Sequence, residues 1–410
     1  MKILYLVPYL HDDEFSPYKR FGTGLSFTVA SIISKSGELG HDVYVYAQSA
    51  FSPGFERGNV KYLPKKLHSV FPIKPRYLKA YRKDTKGCRL GLKLRLHVLS
   101  YYLFGGYVER VIDKVKPDVV SVRGIGYITR PMILACERKN VKYVVSLHGV
   151  NALRGANLTE REDEMEYDVF RNACEKGRPA TVISSGIKRR MLSKLSLPDT
   201  PNVYVVSNGI GDIPPSDPSE AEKIRQKFGV TSEDRVIICA SSINENKNQM
   251  QLLRAFHLLP EEEKSTVKLL FCGKGAKYDE LVSAIAELGE RDRVFACGFV
   301  PNTELGNYYE ISDLNALVSR DEGFGRSFVE GFLHGVPALT FSDLDAIPDI
   351  YDPEVMVKVD ERTDEALAEG IRTALAGHWD RNVIKAHGGK FSVDAMVKKY
   401  VAVYEKAIDS

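Results

Sequence analysis

The sequence predicts an α/β protein made of two doubly wound domains with parallel sheets. Its 410 residues exceed what one hydrophobic core usually holds. Short apolar runs rich in β-branched residues alternate with amphipathic helical stretches along the whole chain, and this alternation is typical of parallel sheets covered by helices on both faces. Two such series follow one another, which predicts two Rossmann-like domains.

Each predicted strand is a short run dominated by Val, Ile, Leu or aromatic residues. In the first series the strands are 2–7, 42–47, 118–122, 143–147, 180–183 and 203–206; in the second they are 235–240, 267–272, 293–296, 314–318, 336–341 and 356–358. Helical periodicity predicts helices such as 25–38, 98–115, 248–258, 278–289 and 365–376. The segment Ser207–Glu220 is dense in Gly, Pro, Ser and Asp and predicts the boundary. A last helix, 393–408, could dock on either domain.

Composition narrows the class of protein. Charged residues make up 27% and apolar residues 44%, as in ordinary soluble domains, and the net charge of +3 is too small to indicate nucleic-acid binding. Six scattered cysteines without a C-x-x-C pair favour reduced, mostly buried thiols in a cytoplasmic protein. The opening MKILYLVPYL predicts a first strand rather than a signal peptide, because charged residues follow at once without a cleavage site. No run reaches the roughly 18 apolar residues that span a bilayer.

The most informative stretch is Asp321–Leu339, DEGFGRSFVEGFLHGVPAL. Two glutamates, Glu322 and Glu330, flank a turn that contains Gly323 and Gly325 and leads into a helix. A helix N-terminus attracts anions through its unpaired N–H groups and its dipole. Carboxylates beside it can accept hydrogen bonds from sugar hydroxyls. The stretch predicts a nucleotide-sugar site; helix capping by acidic residues is the alternative.

Two further side chains stand at the carboxyl ends of predicted strands, where α/β folds bind ligands. His148 follows strand 143–147, and Lys247 follows strand 235–240 near a helix N-terminus, where its charge suits a diphosphate. The alternatives are a structural histidine and a solvated lysine.

A glycine-tipped loop with Gly22 and Gly24 leads into helix 25–38 and would let backbone approach a phosphate or sugar. A flexible connection is the alternative. The loop matches a dinucleotide fingerprint poorly, because Phe27 takes the third glycine position.

Several segments occur in the order of a known family: FGTGLSFTVASIISKSGELGHDVYVYA, SLHGV, VSNGIGD, ENKNQMQLLRAF, FCGKG, VFACGFV and DEGFGRSFVEGFLHGVPAL. Over nearly its whole length the chain resembles the retaining glycosyltransferases of the GT-B fold that carry the E-x7-E motif, the family 4-like "glycosyl transferases group 1". The resemblance implies an acceptor-binding domain at 1–207, with a C-terminal helix at 391–410 packing back on it. It implies a donor-binding domain at 208–390 that faces the first across a cleft.

The resemblance also implies roles for individual residues. His148 would sit over the reacting sugar, Glu322 would hold the transferred sugar, and Lys247 would neutralise the departing diphosphate. The other implied donor-binding positions are Gly22, Gly24, Ser242, Gly298, Phe299, Gly323, Phe324, Gly325, Arg326 and Glu330. Of these, Glu330 would hold the ribose hydroxyls, and the amides of 323–325 would lie against sugar and diphosphate. Gly298 and Phe299 would border the nucleobase.

The chain departs from the family pattern at Ser242, where the family usually has a phosphate-binding arginine. A charge-assisted hydrogen bond contributes roughly 1.5–3 kcal/mol, so its loss should weaken donor binding unless it is replaced. Arg326 could supply the charge. The alternative is a GT-B-shaped nucleotide-sugar-binding protein with a weakened or inactive phosphate site. A nucleotide-sugar epimerase and a phosphorylase are poorer matches, because E-x7-E favours transfer and no pyridoxal lysine site is recognised.

The implied reaction moves a sugar from a nucleotide diphosphate sugar to a hydroxyl acceptor with retention, and the leaving phosphate takes the acceptor's proton. No cofactor or metal is expected, and the acidic run 11–14 is expected to be a solvated loop. The acceptor would be a carbohydrate, a lipid-linked molecule or a small molecule, in polysaccharide, glycan or glycolipid biosynthesis.

The stretch 57–95 is strongly basic, with thirteen Lys or Arg residues and one acid, Asp84. Interleaved aromatic residues such as Phe71 and Tyr81 suit anionic lipid headgroups or a phosphorylated lipid-linked acceptor. This predicts a cytoplasmic protein with peripheral contact at the inner face of the membrane, and a solvated basic face is the alternative.

Overall fold

The computed structural model describes residues 1–11, 24–211 and 215–410. They form two compact units, of which the first comprises Met1–Gly209 and Val393–Ser410 and the second Ile210–Ser392. Each unit is a largely parallel sheet with helices between its strands. The predicted doubly wound α/β class is confirmed.

The strands in chain order are β1 Lys2–Val7, β2 Asp42–Ala47, β3 Phe55–Arg57, β4 Val60–Tyr62, β5 Val119–Arg123, β6 Tyr143–Ser146, β7 Ala180–Val182, β8 Val203–Val205, β9 Arg235–Ala240, β10 Val267–Cys272, β11 Val294–Gly298, β12 Leu314–Ala316, β13 Ala338–Phe341 and β14 Met356–Val359.

The α-helices in chain order are α1 Gly24–Glu38, α2 Pro75–Asp84, α3 Leu92–Leu103, α4 Gly105–Val115, α5 Arg130–Lys139, α6 Glu160–Lys176, α7 Ser185–Lys194, α8 Pro218–Lys227, α9 Gln249–His257, α10 Glu261–Lys264, α11 Tyr278–Glu287, α12 Asn302–Glu310, α13 Arg326–Leu333, α14 Ile347–Ile350, α15 Asp364–Ala376, α16 Arg381–Gly389 and α17 Val393–Asp409. Two short 3₁₀ helices span Leu67–Val70 and Asn151–Leu153.

The first unit contains an eight-stranded sheet in the order β3-β4-β2-β1-β5-β6-β7-β8, in which only the β3–β4 pair is antiparallel. The strand order reverses between β1 and β5, so the loops that follow these strands leave the sheet at its switch point. Helix α17 packs on this unit through a stripe that includes Met396, Val397, Tyr400 and Tyr404, all buried with the core of β1 and β2. The apolar spacing of i, i+3, i+4 explains why this last segment is helical and buried.

One predicted helix is wrong. The stretch 98–115 forms two helices, α3 and α4, which meet at Phe104. A Cβ on Gly105 would stand 2.2 Å from the Tyr77 ring, so only glycine lets α4 begin against that ring. The apolar periodicity continues across this junction and predicted a single helix, although Gly105-Gly106 is a pair that often marks a turn.

The second unit contains a six-stranded parallel sheet in the order β11-β10-β9-β12-β13-β14. Both faces are covered by apolar residues of the flanking helices. The strand order reverses between β9 and β12, so the loops 241–248 and 317–325 leave the sheet side by side. Ligands of open α/β sheets bind at this position.

Candidate active site

The two loops at the switch point of the second unit are bonded to each other through Asn246. Its side-chain Nδ2 donates to the Asp321 carbonyl at 2.9 Å, and its Oδ1 accepts from the Asp321 amide at 3.1 Å. The Asn246 carbonyl also accepts from the Arg320 amide at 2.7 Å. These bonds fix the segments that carry Lys247 and Glu322. Sequence reasoning did not single out Asn246.

Lys247 and Glu322 form an ion pair at this junction. The Lys247 Nζ donates to Glu322 Oε2, and the two side chains are only 20% and 17% exposed. The second carboxylate oxygen, Oε1, accepts from the Gly325 amide at 3.1 Å. Glu322 is therefore held from both sides, and two of the three predicted catalytic residues contact each other.

The turn before α13 requires glycine at position 325. Gly325 has a φ of 75°, and a Cβ there would stand 2.3 Å from the Phe328 ring. Phe324 is buried and packs edge-on against Phe391 at a ring distance of 5.9 Å. The turn therefore delivers the N-terminus of α13, with its unpaired amides, next to Glu322.

Helix α13 is fixed to the sheet by Asn315 of β12. The Asn315 Nδ2 donates to the Ser327 carbonyl at 2.7 Å, and the Tyr309 hydroxyl approaches Ser327 Oγ at 3.2 Å. Gly331 lies so close to Asn315 that a Cβ would be 2.7 Å from its Nδ2. This contact explains the glycine directly after Glu330.

Glu330 pairs with Arg326 one turn earlier on α13, with 3.7 Å between Arg326 Nη2 and Glu330 Oε1. Burial raises the pKa of Glu330, and the Arg326 charge opposes that rise. Arg326 thus already has a carboxylate partner. Ser242 takes part in holding its own loop, since its Oγ accepts from Asn244 Nδ2 at 2.9 Å.

The predicted nucleobase border lies at the end of β11. Gly298 has a φ of 76°, and its carbonyl accepts from the Gly273 amide at 2.8 Å. Phe299 is 73% exposed, which is high for an aromatic side chain. A Cβ on Gly273 would stand only 1.9 Å from the Ser241 carbonyl oxygen, so the loops after β9 and β10 touch through their backbones.

In the first unit His148 follows β6, and both of its ring nitrogens are buried without a hydrogen-bond partner among the described residues. Burial and the nearby Arg123 charge lower the pKa of His148 to about 3. The imidazole is therefore neutral at physiological pH. The Asn208 side chain faces this ring and opposes the lowering of its pKa, although the buried Asn208 Oδ1 forms no hydrogen bond of good geometry within the described residues.

Arg123, the last residue of β5, is fully buried, and sequence reasoning missed it. Its guanidinium donates to the Tyr404 hydroxyl and lies 4.0 Å from the centre of the Tyr400 ring. Its Nε and Nη1 have no hydrogen-bond partner within the described chain. The available signal was an arginine closing the apolar run VVSVR. Within the described part of the chain its guanidinium contacts tyrosines of α17 rather than a carboxylate.

The loop that begins at His148 is held by Glu166 of α6. The Glu166 carboxylate accepts from the Asn151 amide at 3.3 Å and from the Ala152 amide at 2.8 Å. The side chain is only 2% exposed, and burial raises the pKa of its carboxyl to about 7.

Some predictions fall elsewhere. Gly24 is the first residue of α1, whereas Gly22 and most of the acidic run 11–14 lie outside the described residues. In the parts of the chain that the structure describes, no group of three or more His, Cys, Asp and Glu side chains is placed to hold a metal ion. The six cysteines are free thiols, and Cys136, Cys239 and Cys272 are buried.

Two family models match the chain in succession. The model described as Glycosyltransferase Family 4 matches residues 22–212, and the one described as Glycosyl transferases group 1 matches residues 220–390. The second match contains the whole Lys247–Glu330 site.

Individual proteins agree with the family models. The chain is 26% identical over 283 residues to an uncharacterized glycosyltransferase of Methanocaldococcus jannaschii, an alignment that covers 65% of this chain and 70% of that protein. It is 23% identical over 333 residues to the alpha-monoglucosyldiacylglycerol synthase of Streptococcus pneumoniae, covering 77% and 67%. The solved structure of Anabaena HepE with UDP and glucose is similar with a TM-score of 0.63 at 15% identity, covering 99% and 100%.

Proposed function

We propose that this chain, which belongs to the glycosyltransferases of family 4 and group 1 and has their GT-B fold, moves a sugar from a nucleotide diphosphate sugar to a hydroxyl acceptor with retention at the anomeric carbon. The observation that carries the proposal is the Lys247–Glu322 ion pair beside the N-terminus of α13, with Glu330 one turn into the same helix and paired with Arg326. This arrangement offers a cation and amides for phosphate and two carboxylates for hydroxyls.

In the proposed reaction, breakage of the bond between the anomeric carbon and the phosphate oxygen leaves positive charge on the sugar and negative charge on the diphosphate. Lys247 and the first amides of α13 stabilise the negative charge. In the structure the Lys247 ammonium is paired with Glu322, so in the proposed complex the diphosphate replaces Glu322 as the partner of this ammonium. Glu322 then accepts hydrogen bonds from the sugar.

His148 contributes as a neutral group. A protonated imidazole would repel the positive charge that develops on the sugar ring, and its pKa of about 3 prevents that. We propose that the neutral ring hydrogen-bonds a sugar hydroxyl, which would satisfy ring nitrogens that are unbonded in the described structure.

The proposal needs no metal ion, because Lys247 and the helix N-terminus neutralise the leaving group. Turnover should then persist in excess EDTA. A loss of activity that Mg²⁺ or Mn²⁺ restores would contradict this part of the proposal.

We further propose a glycan or a lipid-linked molecule as acceptor, in polysaccharide or glycolipid synthesis at the inner face of the membrane. Support comes from the S. pneumoniae relative, whose name describes the synthesis of a lipid glycoside. Since the HepE structure contains UDP and glucose, UDP-hexoses are the first donors to test.

The deciding experiment screens UDP-, GDP- and ADP-sugars by calorimetry, followed by assays of donor hydrolysis and of transfer to lipid extracts. We expect one nucleotide class to bind and to be turned over, and the Lys247→Met variant to lose turnover. Binding of a nucleotide sugar without turnover under any condition would favour the alternative, a nucleotide-sugar-binding protein whose phosphate site is inactive because Ser242 replaces the arginine. No binding at all would refute the transferase proposal.

A further inference from the structure

We infer that the helix pair α2–α3, residues 75–103, is an amphipathic surface that docks this protein on an anionic lipid bilayer. The inference deepens the proposed function, because a docked protein would meet a lipid-linked acceptor in the membrane. Only this biological purpose rests on the proposed function. The attachment itself depends on the side chains of the pair. None of the helices in the described part of the chain has the length and apolarity to cross a bilayer.

Helix α3 is apolar on two different faces. Val98 and Tyr102 are buried in the unit. A second stripe consists of Leu92, Leu96, Leu99 and Leu103, which recur at the helical spacing of four, three and four residues. Leu92 is 76% and Leu96 is 59% exposed. A helix that only covers a core has polar residues on its outer face, so this leucine stripe indicates a partner with an apolar phase.

The partner must also be anionic. The outward positions of α2 are Lys79, Arg82 and Lys83, all exposed, and the connection to α3 adds the exposed Lys86 and Arg89. Apolar side chains bordered by lysine and arginine are the pattern of helices that lie in the headgroup region of anionic membranes.

The only acidic residue between positions 57 and 95 does not offset this charge. Asp84 is 2% exposed, is paired with Arg161 at 2.8 Å, and accepts from the Tyr102 hydroxyl at 2.7 Å. Because the carboxylate is buried and neutralised inside the unit, the outer surface of the pair keeps its positive charge.

The same network makes the surface a fixed part of the fold. Tyr77 and Arg76 of α2 both bond to Glu109 of α4, the tyrosine hydroxyl at 2.8 Å. The segment that leads into α2 also exposes apolar side chains, since Leu67 is 74% and Phe71 is 64% exposed. Bonded helices that present leucines outward favour a preformed docking surface.

The test is flotation of the full chain with vesicles of phosphatidylcholine alone or with phosphatidylglycerol added. We expect binding only to the anionic vesicles, weakening with salt. The double variant Leu92→Ser/Leu96→Ser should bind at least about tenfold more weakly, because it loses apolar insertion. The matched control is Leu158→Ser, a leucine of the same unit that is 71% exposed, and its binding should equal the wild type's.

Three results would overturn the inference: no flotation of the wild type at low salt, equal flotation of the double variant, or a wild-type dimer that the double variant loses, since a second copy would then occupy the stripe. Donor binding by the same proteins in vesicle-free buffer separates the two proposals. Failure of vesicle binding with retained donor binding removes only the docking surface. Vesicle binding without donor binding removes only the proposed transfer.

Discussion

Replacing His148 with asparagine tests the electrostatics of the first unit. In the folded chain burial and Arg123 lower the pKa of His148 from 6.5 to about 3, whereas in the unfolded chain the ring regains its ordinary pKa. Between pH 6.5 and pH 3, therefore, His148 binds a proton in the unfolded state but not in the folded state. The stability associated with a neutral His148 is complete above pH 6.5 and is lost as the pH falls towards 3.

The size of the effect follows from the two pKa values. Each pH unit between them changes the free energy of unfolding by about 1.4 kcal/mol. At pH 5 the loss relative to pH 8 is about 2 kcal/mol, and near pH 3 it approaches about 5 kcal/mol. Asparagine and phenylalanine bind no proton, so variants that carry either residue should lack this loss.

The assay is urea unfolding of the full chain at pH 8 and pH 5, followed by circular dichroism. Hydrogen exchange of β5 and β6 assigns the transition to the first unit. From pH 8 to pH 5 the free energy of unfolding of the wild type should fall by about 2 kcal/mol more than that of His148→Asn or His148→Phe. Other titrating groups, including Glu166, cancel because the comparison is between variants. Equal pH dependence of the three proteins would refute a lowered pKa for His148.

Three further predictions concern other residues. Lys247→Met should lower kcat about 10²–10³-fold, because it removes a charge that stabilises the leaving group. The control Lys277→Met changes a more exposed lysine of the second unit and should keep the wild-type kcat. Equal kcat values for the two variants would contradict the role assigned to Lys247. Arg326→Ala should weaken donor binding in calorimetry about 10–100-fold, from a charge-assisted bond of roughly 1.5–3 kcal/mol, while unchanged affinity would end the idea that Arg326 compensates for Ser242. The pKa of the Glu166 carboxyl, about 7, lies above its ordinary 4.5, so the wild type loses the stability of the protonated form as the pH rises. Between pH 4.5 and pH 8 the free energy of unfolding of Glu166→Gln, measured in urea, should therefore rise by about 3 kcal/mol relative to that of the wild type. A difference that stays constant across this pH range would refute the shift.

The strands were the most predictable part of the fold, because their cause is local. The runs that form β1, β2, β9 and β10 have the predicted bounds, since each is apolar, β-branched and ended by polar or turn residues. The edge strands β3 and β4 have three residues each, too few to show alternation. The junction between α3 and α4 is set by the Tyr77 ring, a contact that no periodicity encodes.

The candidate site divides in the same way. The turn at Gly325 and the spacing of Arg326 and Glu330 are local, so sequence reasoning could place them on one helix. The contact between Lys247 and Glu322 joins residues 75 positions apart and depends on the neighbouring places of β9 and β12 in the sheet. Arg123 was not predicted because its partner tyrosines lie on α17, at the other end of the chain.

Two basic side chains of the candidate site are paired with its two glutamates, and this pairing bears on the proposed binding of a donor. Lys247 is paired with Glu322, and Arg326 with Glu330. Each cation that was predicted to bind phosphate is therefore paired with a carboxylate that was predicted to bind a hydroxyl. A free diphosphate would have to compete with both carboxylates. Under the proposed function a nucleotide sugar would replace each pair with two interactions, because its phosphates would take the cations while its ribose and sugar hydroxyls would bond to the freed carboxylates. We therefore expect the site to prefer the intact donor over inorganic pyrophosphate, and the pairing of Arg326 with Glu330 would couple ribose recognition to the charge that an arginine at position 242 would supply.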